Sequence, residues 1–308
     1  IFLVSCAGGM RASIHLPIEQ EPLAQNKKAY EIQLRGLKGG HSGMEIIKQR
    51  ANSNKLMGRV LSRLYDEFDI RLADISGGSK DNAIPREADA IVVTDAEVSR
   101  IEAVLHEMQQ AFQYEYRNTE TNIILQAKPV DLPQYQFSKT TTKSAIDVLV
   151  LIPNGVLGMS LDIAGLVESS TNIGVVKVEN NEIHFTSALR SSVSTKKEEI
   201  KLQIKHLAET VGARFSTTGD YPAWEYKEHS PLRDTCVRVY RELTGEEPIV
   251  TAVHAGLECG LLSEKMDDAD MISMGPNMFD VHTPNERVSI SSVQRVWEYL
   301  KAVLKELK

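Results

Sequence analysis

Several stretches of this chain set ionisable side chains among glycines and prolines, where a turn can present them to a ligand. His282 sits in the run Gly275-Pro-Asn-Met-Phe-Asp-Val-His-Thr-Pro-Asn-Glu-Arg-Val288. An apolar stretch over 270–274 ends at Gly275-Pro276 and releases the histidine just before Pro284, which is the form of a metal-ligand loop. A hydrolytic zinc centre needs about three protein ligands per metal and an open position for water. One imidazole cannot supply that, so His282 as a ligand implies partners outside this chain. As an isolated residue it reads as a loop or packing histidine.

The segment Gly36-Leu-Lys-Gly-Gly-His-Ser-Gly43, followed by Glu45 and by Arg50-Ala-Asn-Ser-Asn-Lys55, is the most specific local motif. Glycines on both sides of His41 and Ser42 admit positive φ and close approach of a ligand, while the imidazole projects from the turn. The competing reading is a tight strand-to-helix turn with Ser42 as a helix cap. A serine-hydrolase elbow is excluded because the Gly-x-Ser-x-Gly spacing fails at Met44. Gly256 lies in another turn, where backbone can approach a substrate with no side chain in the way. His254 and Glu258 stand four apart, but Gly256 between them disfavours a shared helix face, and His254 reads as structural. Cys259 reads as a small buried thiol rather than a nucleophile.

These groups must be positioned by regular elements. Residues 30–35 alternate as a half-buried strand and break at Gly36. Leu56, Val60, Leu61, Leu64 and Phe68 recur at helical spacing and predict a helix over 49–68. Strands are predicted over 70–75, 88–93 and 122–127, and a second helix over 96–114. Strand, helix, strand, strand, helix, strand is the split β-α-β order of a ferredoxin-like sandwich. A weaker copy follows: a helix over 138–152, a hairpin of 171–178 and 182–189 about Asn180-Asn181, a helix over 196–211 and a strand over 213–217. From about 218 the pattern is α/β, with helices over 231–244 and 292–307 and strands over 248–253 and 271–274, implying a mostly parallel sheet. Residues 1–4 and 13–17 lack partners nearby in sequence and are assigned to that second sheet. The expected organisation is a discontinuous domain of 1–28 and 218–308 around an inserted domain of 29–217.

The 308 residues carry a net charge of −7, which disfavours nucleic acid and anionic membranes as partners. No apolar run reaches the ~18 residues of a membrane span. Cys6, Cys236 and Cys259, odd in number and widely spaced, point to a reducing cytoplasm rather than a disulfide framework. The chain opens inside a strand-like run without an initiator methionine, so the expectation is a part of a longer protein.

Six stretches together resemble the bacterial aminoacyl-histidine dipeptidases (Xaa-His dipeptidases), relatives of carnosinase among the co-catalytic zinc exopeptidases. They are Ser5-Cys-Ala-Gly-Gly9, Arg35-Gly-Leu-Lys-Gly-Gly-His-Ser-Gly43, Asp81-Asn-Ala-Ile-Pro-Arg-Glu-Ala88, Leu189-Arg-Ser-Ser-Val193, Ala252-Val-His-Ala-Gly-Leu-Glu-Cys-Gly-Leu261 and His282-Thr-Pro-Asn-Glu-Arg-Val288, in family order along the whole chain. The resemblance implies part of a mostly parallel-sheet catalytic domain plus an inserted α+β lid of two ferredoxin-like units. It implies two zinc ions, or other divalent metals, per active site, with His282 as a ligand. The family's remaining metal ligands and its general base precede the Cys-Ala-Gly-Gly strand and are absent here, so this chain alone is expected to be inactive.

The resemblance further implies a homodimer through the lid, in which His41 donates a hydrogen bond to the scissile carbonyl in the partner's site. It makes Asn82 a substrate-binding residue, alongside an Asx turn as the local alternative. Arg190 becomes the clamp for a dipeptide's free carboxylate, since a guanidinium fork matches a carboxylate with two hydrogen bonds; the alternative is a strand-end ion pair. The rival functions are a non-catalytic dimerisation or regulatory module, and a related deacetylase or tripeptidase.

Overall fold

The computed structural model describes residues 1–266, 268–281 and 283–307. The strands are β1 Phe2–Cys6, β2 Gly8–Pro17, β3 Gln20–Glu21, β4 Lys28–Arg35, β5 Gly40–His41, β6 Arg71–Gly77, β7 Ala83–Ile84, β8 Ala88–Thr94, β9 Ile124–Val130, β10 Gln136–Phe137, β11 Gly155–Met159, β12 Val167–Glu179, β13 Glu182–Ser191, β14 Arg214–Tyr221, β15 Val250–Val253, β16 Met278–Phe279 and β17 Arg287–Val288. The helices are α1 Ser53–Glu67, α2 Val98–Glu115, α3 Lys139–Leu151, α4 Ser194–Thr210, α5 Pro231–Thr244, α6 Glu258–Lys265 and α7 Ile290–Glu306.

Local chemistry sets several boundaries. The α1 helix starts later than periodicity predicts because Gln49 is left-handed and Asn52 is extended, with its Oδ1 accepting from the amides of Asn54 and Lys55. Ser138 caps α3, while Ser230, Pro231 and the left-handed Gly245 bracket α5. Asn180 and Asn181 both take positive φ, so β12 and β13 close by a two-residue turn whose twist suits a hairpin.

One large sheet dominates, in the order β14-β2-β13-β12-β6-β8-β4-β9, with β11 paired to the first part of β12. Every pairing within it is antiparallel. The β6-β8-β4-β9 half has the order that a β-α-β-β-α-β chain gives when its first strand lies between the third and the fourth. The other half, β14-β2-β13-β12, repeats that order with β2 as the first strand and α3 and α4 as the helices. The large sheet is thus mostly antiparallel, and the mostly parallel sheet expected for 1–28 and 218–308 amounts, among the described residues, to one strand pair. The parallel pairing observed is β1 with β15, and the strand predicted over 271–274 reduces to a single antiparallel bridge between Leu3 and Ser273.

Residues 13–17 also lie elsewhere than expected. Strand β2 pairs with β13 along its whole length, from Gly8 opposite Ser191 to Pro17 opposite Glu182, and with β14 on its other side. The physical reason is visible in β2 itself. Met10, Ala12, Ile14 and Leu16 are buried while Arg11 is exposed, the alternation of a sheet with one covered face. Its partners lie beyond residue 180, where no local pattern points. The covered face joins α1 to α4 in one core that includes Ile14, Ile32, Leu61, Phe112, Leu149, Phe185 and Ile204. A smaller core of Phe2, Cys236, Val239, Tyr299 and Val303 ties β1 to α5 and α7.

Candidate functional site

His41 is held by a short ladder in which β5 pairs with β7, His41 opposite Ala83. Its Nδ1 accepts from the amides of Gly43 (3.1 Å) and Met44 (3.0 Å), which leaves the ring proton on Nε2 as a donor. Burial, with a further push from the Arg190 charge, lowers the His41 pKa, so the ring is neutral at neutral pH. The His41 amide donates to Glu45 Oε2 at 2.9 Å. Glu45 is held at about 2, first by its bond to Lys48 and next by that amide. Ser42 caps no helix: its amide donates to the Asn82 carbonyl at 2.9 Å, and its buried hydroxyl has no partner among the described residues.

Asn82 thereby lies beside the His41 turn, with an exposed residue surface and its amide on Asp81 Oδ1. The loop is fastened from below by buried asparagines. Asn172 Nδ2 donates to the carbonyls of Asp81 (3.1 Å) and Ala83 (2.9 Å), and Asn172 Oδ1 accepts from Asn52 Nδ2 (3.1 Å). The Asn-Ser-Asn run thus caps α1 and supports the Asn82 loop with the same side chain.

Arg190 on β13 faces Ser170 of β12 and Gly9 of β2. Its Nη1 donates to the Tyr221 hydroxyl at 3.0 Å, and its buried Nε has no partner. Among the described residues it forms no ion pair. Tyr221 reaches this place because two glycines leave room: a Cβ on Gly9 would lie 2.5 Å from its hydroxyl and one on Gly256 2.8 Å from its ring. Tyr221 was missed by sequence reasoning; the only signal for it is the Gly8-Gly9 pair, which becomes informative once β14 is known to lie alongside β2.

His254 is buried, and its Nε2 shares a 2.7 Å hydrogen bond with Ser170 Oγ. Burial first, and Arg190 next, pull its pKa down to about 4, with a contact to the Val167 backbone acting weakly the other way. Its Nδ1 makes no hydrogen bond. Helix α6 begins only at Glu258, so His254 and Glu258 share no helix face. Cys259 is half-buried with its thiol pKa raised, first by burial, so it is no activated nucleophile. Everything converges on Gly43: a Cβ there would lie 2.8 Å from the His254 carbonyl oxygen and 3.1 Å from both Arg190 Nε and His41 Cε1. A cleft of about 150 Å³ opens beside Gly43 and His254, walled by Met44, Ile47, Leu166 and Val167.

The site therefore gathers His41, Asn82, Arg190 and Gly256, while His282 lies outside the described residues. Among the described residues, no three carboxylate, thiol or imidazole groups meet here in ligand range. The one such group, His15, Glu182 and His184, lies elsewhere on the sheet.

Residues 32–120 match the peptidase dimerisation domain of the M20 family. Over 99% of its length the chain is 33% identical to the cytosol non-specific dipeptidase of Escherichia coli (strain K12), covering 63% of that protein. It also superposes on the aminoacylhistidine dipeptidase of Vibrio alginolyticus with a TM-score of 0.94 and 33% identity, over 99% of this chain and 62% of that one. Along nearly its whole length the chain is similar to these two dipeptidases. It spans somewhat under two thirds of the length of both relatives.

Proposed function

We propose that this chain is the substrate-recognition part of a metal-dependent dipeptidase that acts on Xaa-His and similar dipeptides. The observation that carries the reading is Arg190, a half-buried guanidinium with no carboxylate partner among the described residues. Burying a charge without a counterion is costly, and a substrate carboxylate is the group that relieves it. A clamp on the terminal carboxylate limits the peptide to a short one. His41 Nε2, a neutral donor, suits a developing oxyanion, and such a donor contributes about 3–4 kcal/mol. Asn82 and the open backbone at Gly256 complete the cradle.

The described residues at this site do not supply a metal donor set, since the His41 Nδ1 and His254 Nε2 atoms are engaged in hydrogen bonds. We assign zinc, two ions per site, to His282 together with ligands outside this chain; bound there it would polarise the scissile carbonyl and activate water. The 29–217 region is the proposed lid and homodimer contact, placing His41 in the partner's site. A cytoplasmic location fits the three unpaired cysteines, and among the described residues no helix is long and apolar enough to cross a membrane.

The test is Arg190→Ala in the full-length enzyme. Losing a buried charge pair costs roughly 2–5 kcal/mol, and the loss is expected in kcat/KM for free dipeptides, much less for C-terminally amidated ones. Arg190→Lys should recover only part, because ammonium keeps the charge without the fork. Equal losses on free and amidated peptides would show that Arg190 holds the fold instead. A preference for tripeptides or for N-acetyl substrates would favour the tripeptidase or deacetylase.

A further inference from the structure

We propose that His15, Glu182 and His184 form a second divalent-metal site, of the zinc class, on the open face of the large sheet and remote from the substrate cleft. His15 on β2 lies directly opposite His184 on β13, and Glu182 is two residues earlier on the same strand, so all three side chains share one face. The rings meet edge to face with centroids 4.7 Å apart. Glu182 Oε2 lies 3.9 Å from His15 Nδ1 and 3.4 Å from His184 Nε2, and the three ligand atoms all fall within 4.8 Å of one another. Zinc bonds of about 2.0–2.2 Å put tetrahedral ligand atoms roughly 3.4 Å apart, so a small side-chain rotation closes the set around one ion, with water in the fourth position.

Two further features point to a ligand rather than to a chance cluster. His15 Nδ1 and His184 Nε2 are both buried and both lack a hydrogen-bond partner, which is costly for lone pairs left facing protein. His15 Nε2 is 2.8 Å from Ser216 Oγ on the neighbouring strand. Donating there fixes the tautomer that leaves the Nδ1 lone pair aimed at Glu182, the usual outer support of a ligating histidine. Two imidazoles and a carboxylate suit zinc better than magnesium or calcium, which prefer oxygen ligands alone.

The opposing charge is Arg214, whose Nη2 lies 2.9 Å from both Glu182 oxygens and competes with a metal for them. Lys177, across β12 from His184, is already paired with Glu179 at 2.5 Å. Metal bound here would join β2 to β13 by side chains as well as by backbone.

Zinc uptake should be measured by equilibrium dialysis of the protein and its variants against Zn²⁺, with bound metal counted by mass spectrometry and the melting midpoint recorded alongside. The expected result is one zinc fewer in His184→Gln, with loss of the zinc-dependent rise in midpoint. Ser216→Ala should weaken uptake at this site roughly tenfold or more. Arg214→Gln should strengthen it, a gain that stays readable even if His184→Gln fails to fold. Cobalt should give the intense visible absorption of a tetrahedral site in the wild type but not in His184→Gln. Equal stoichiometry in wild type and His184→Gln, or no tightening in Arg214→Gln, would overturn the proposal.

Discussion

Acidification should destabilise this protein through His254, by an amount the structure sets. The imidazole is buried, shares its Nε2 with Ser170 and faces Arg190, so its folded pKa falls from 6.5 to about 4. Between those values the unfolded chain binds a proton that the folded chain refuses, so stability must drop as the pH falls through this window. Two and a half pH units at about 1.4 kcal/mol each give a loss of about 3 kcal/mol, complete near pH 4 and absent above pH 7. The comparison is His254→Gln, whose amide can still bond Ser170 but cannot titrate. Urea unfolding of both proteins from pH 7.5 to 4, at fixed ionic strength, isolates the group. His15 and His41, also shifted downward, are present in both and cancel in the difference. The wild type should lose about 3 kcal/mol more than the variant, with the gap opening below pH 6.5. Curves that stay parallel across the window would refute the reasoning and mean that His254 titrates as an open residue does.

Gly43→Ala puts a methyl group against the His254 carbonyl, Arg190 and His41, and should cost about 1–3 kcal/mol by thermal melting and, if the proposed function holds, most of the proposed dipeptidase activity. Asn52→Ala removes the α1 cap and leaves Asn172 Oδ1 unpaired, an expected loss of roughly 2–4 kcal/mol in urea unfolding. Tyr221→Phe removes the acceptor that orients Arg190; the expected effect is a KM about tenfold higher for free dipeptides, with little change in melting temperature. Analytical ultracentrifugation of the proposed full-length enzyme should show a dimer, and an active monomer would remove the proposed role of His41 in trans.

The local parts of this molecule were legible because short-range chemistry decides them. The α5 helix runs from Pro231 to Thr244 as read, since its serine cap, first-turn proline and terminal glycine are all written in sequence. The first β-α-β-β-α-β half was legible for the same reason, each element lying next to its partner. Strand β2 was not, because the residues that pair with it lie beyond residue 180. At the site, the glycine-flanked His41 and the strand-end Arg190 stood out by type and setting. Their meeting at Gly43, and the part of Tyr221 in aiming the guanidinium, depend on contacts between segments far apart in the chain.

The place of β2 also dictates an order of events during folding. One half of the sheet, from β4 to β9, closes on itself through neighbours in sequence, and it is nested between the first strand and the first helix of the other half. As the chain emerges from the ribosome, that inner half can assemble while β2 waits, its edges unpaired, for β13 and β14 to be made. Pairings of such long sequence separation are slow to form and expose strand edges in the meantime. The two halves, alike in strand order, should therefore differ in kinetics: the inner one fast and local, the outer one late and dependent on its predecessor. Arg190 and Tyr221 belong to the outer half, so the proposed anion clamp should be among the last parts of the protein to form.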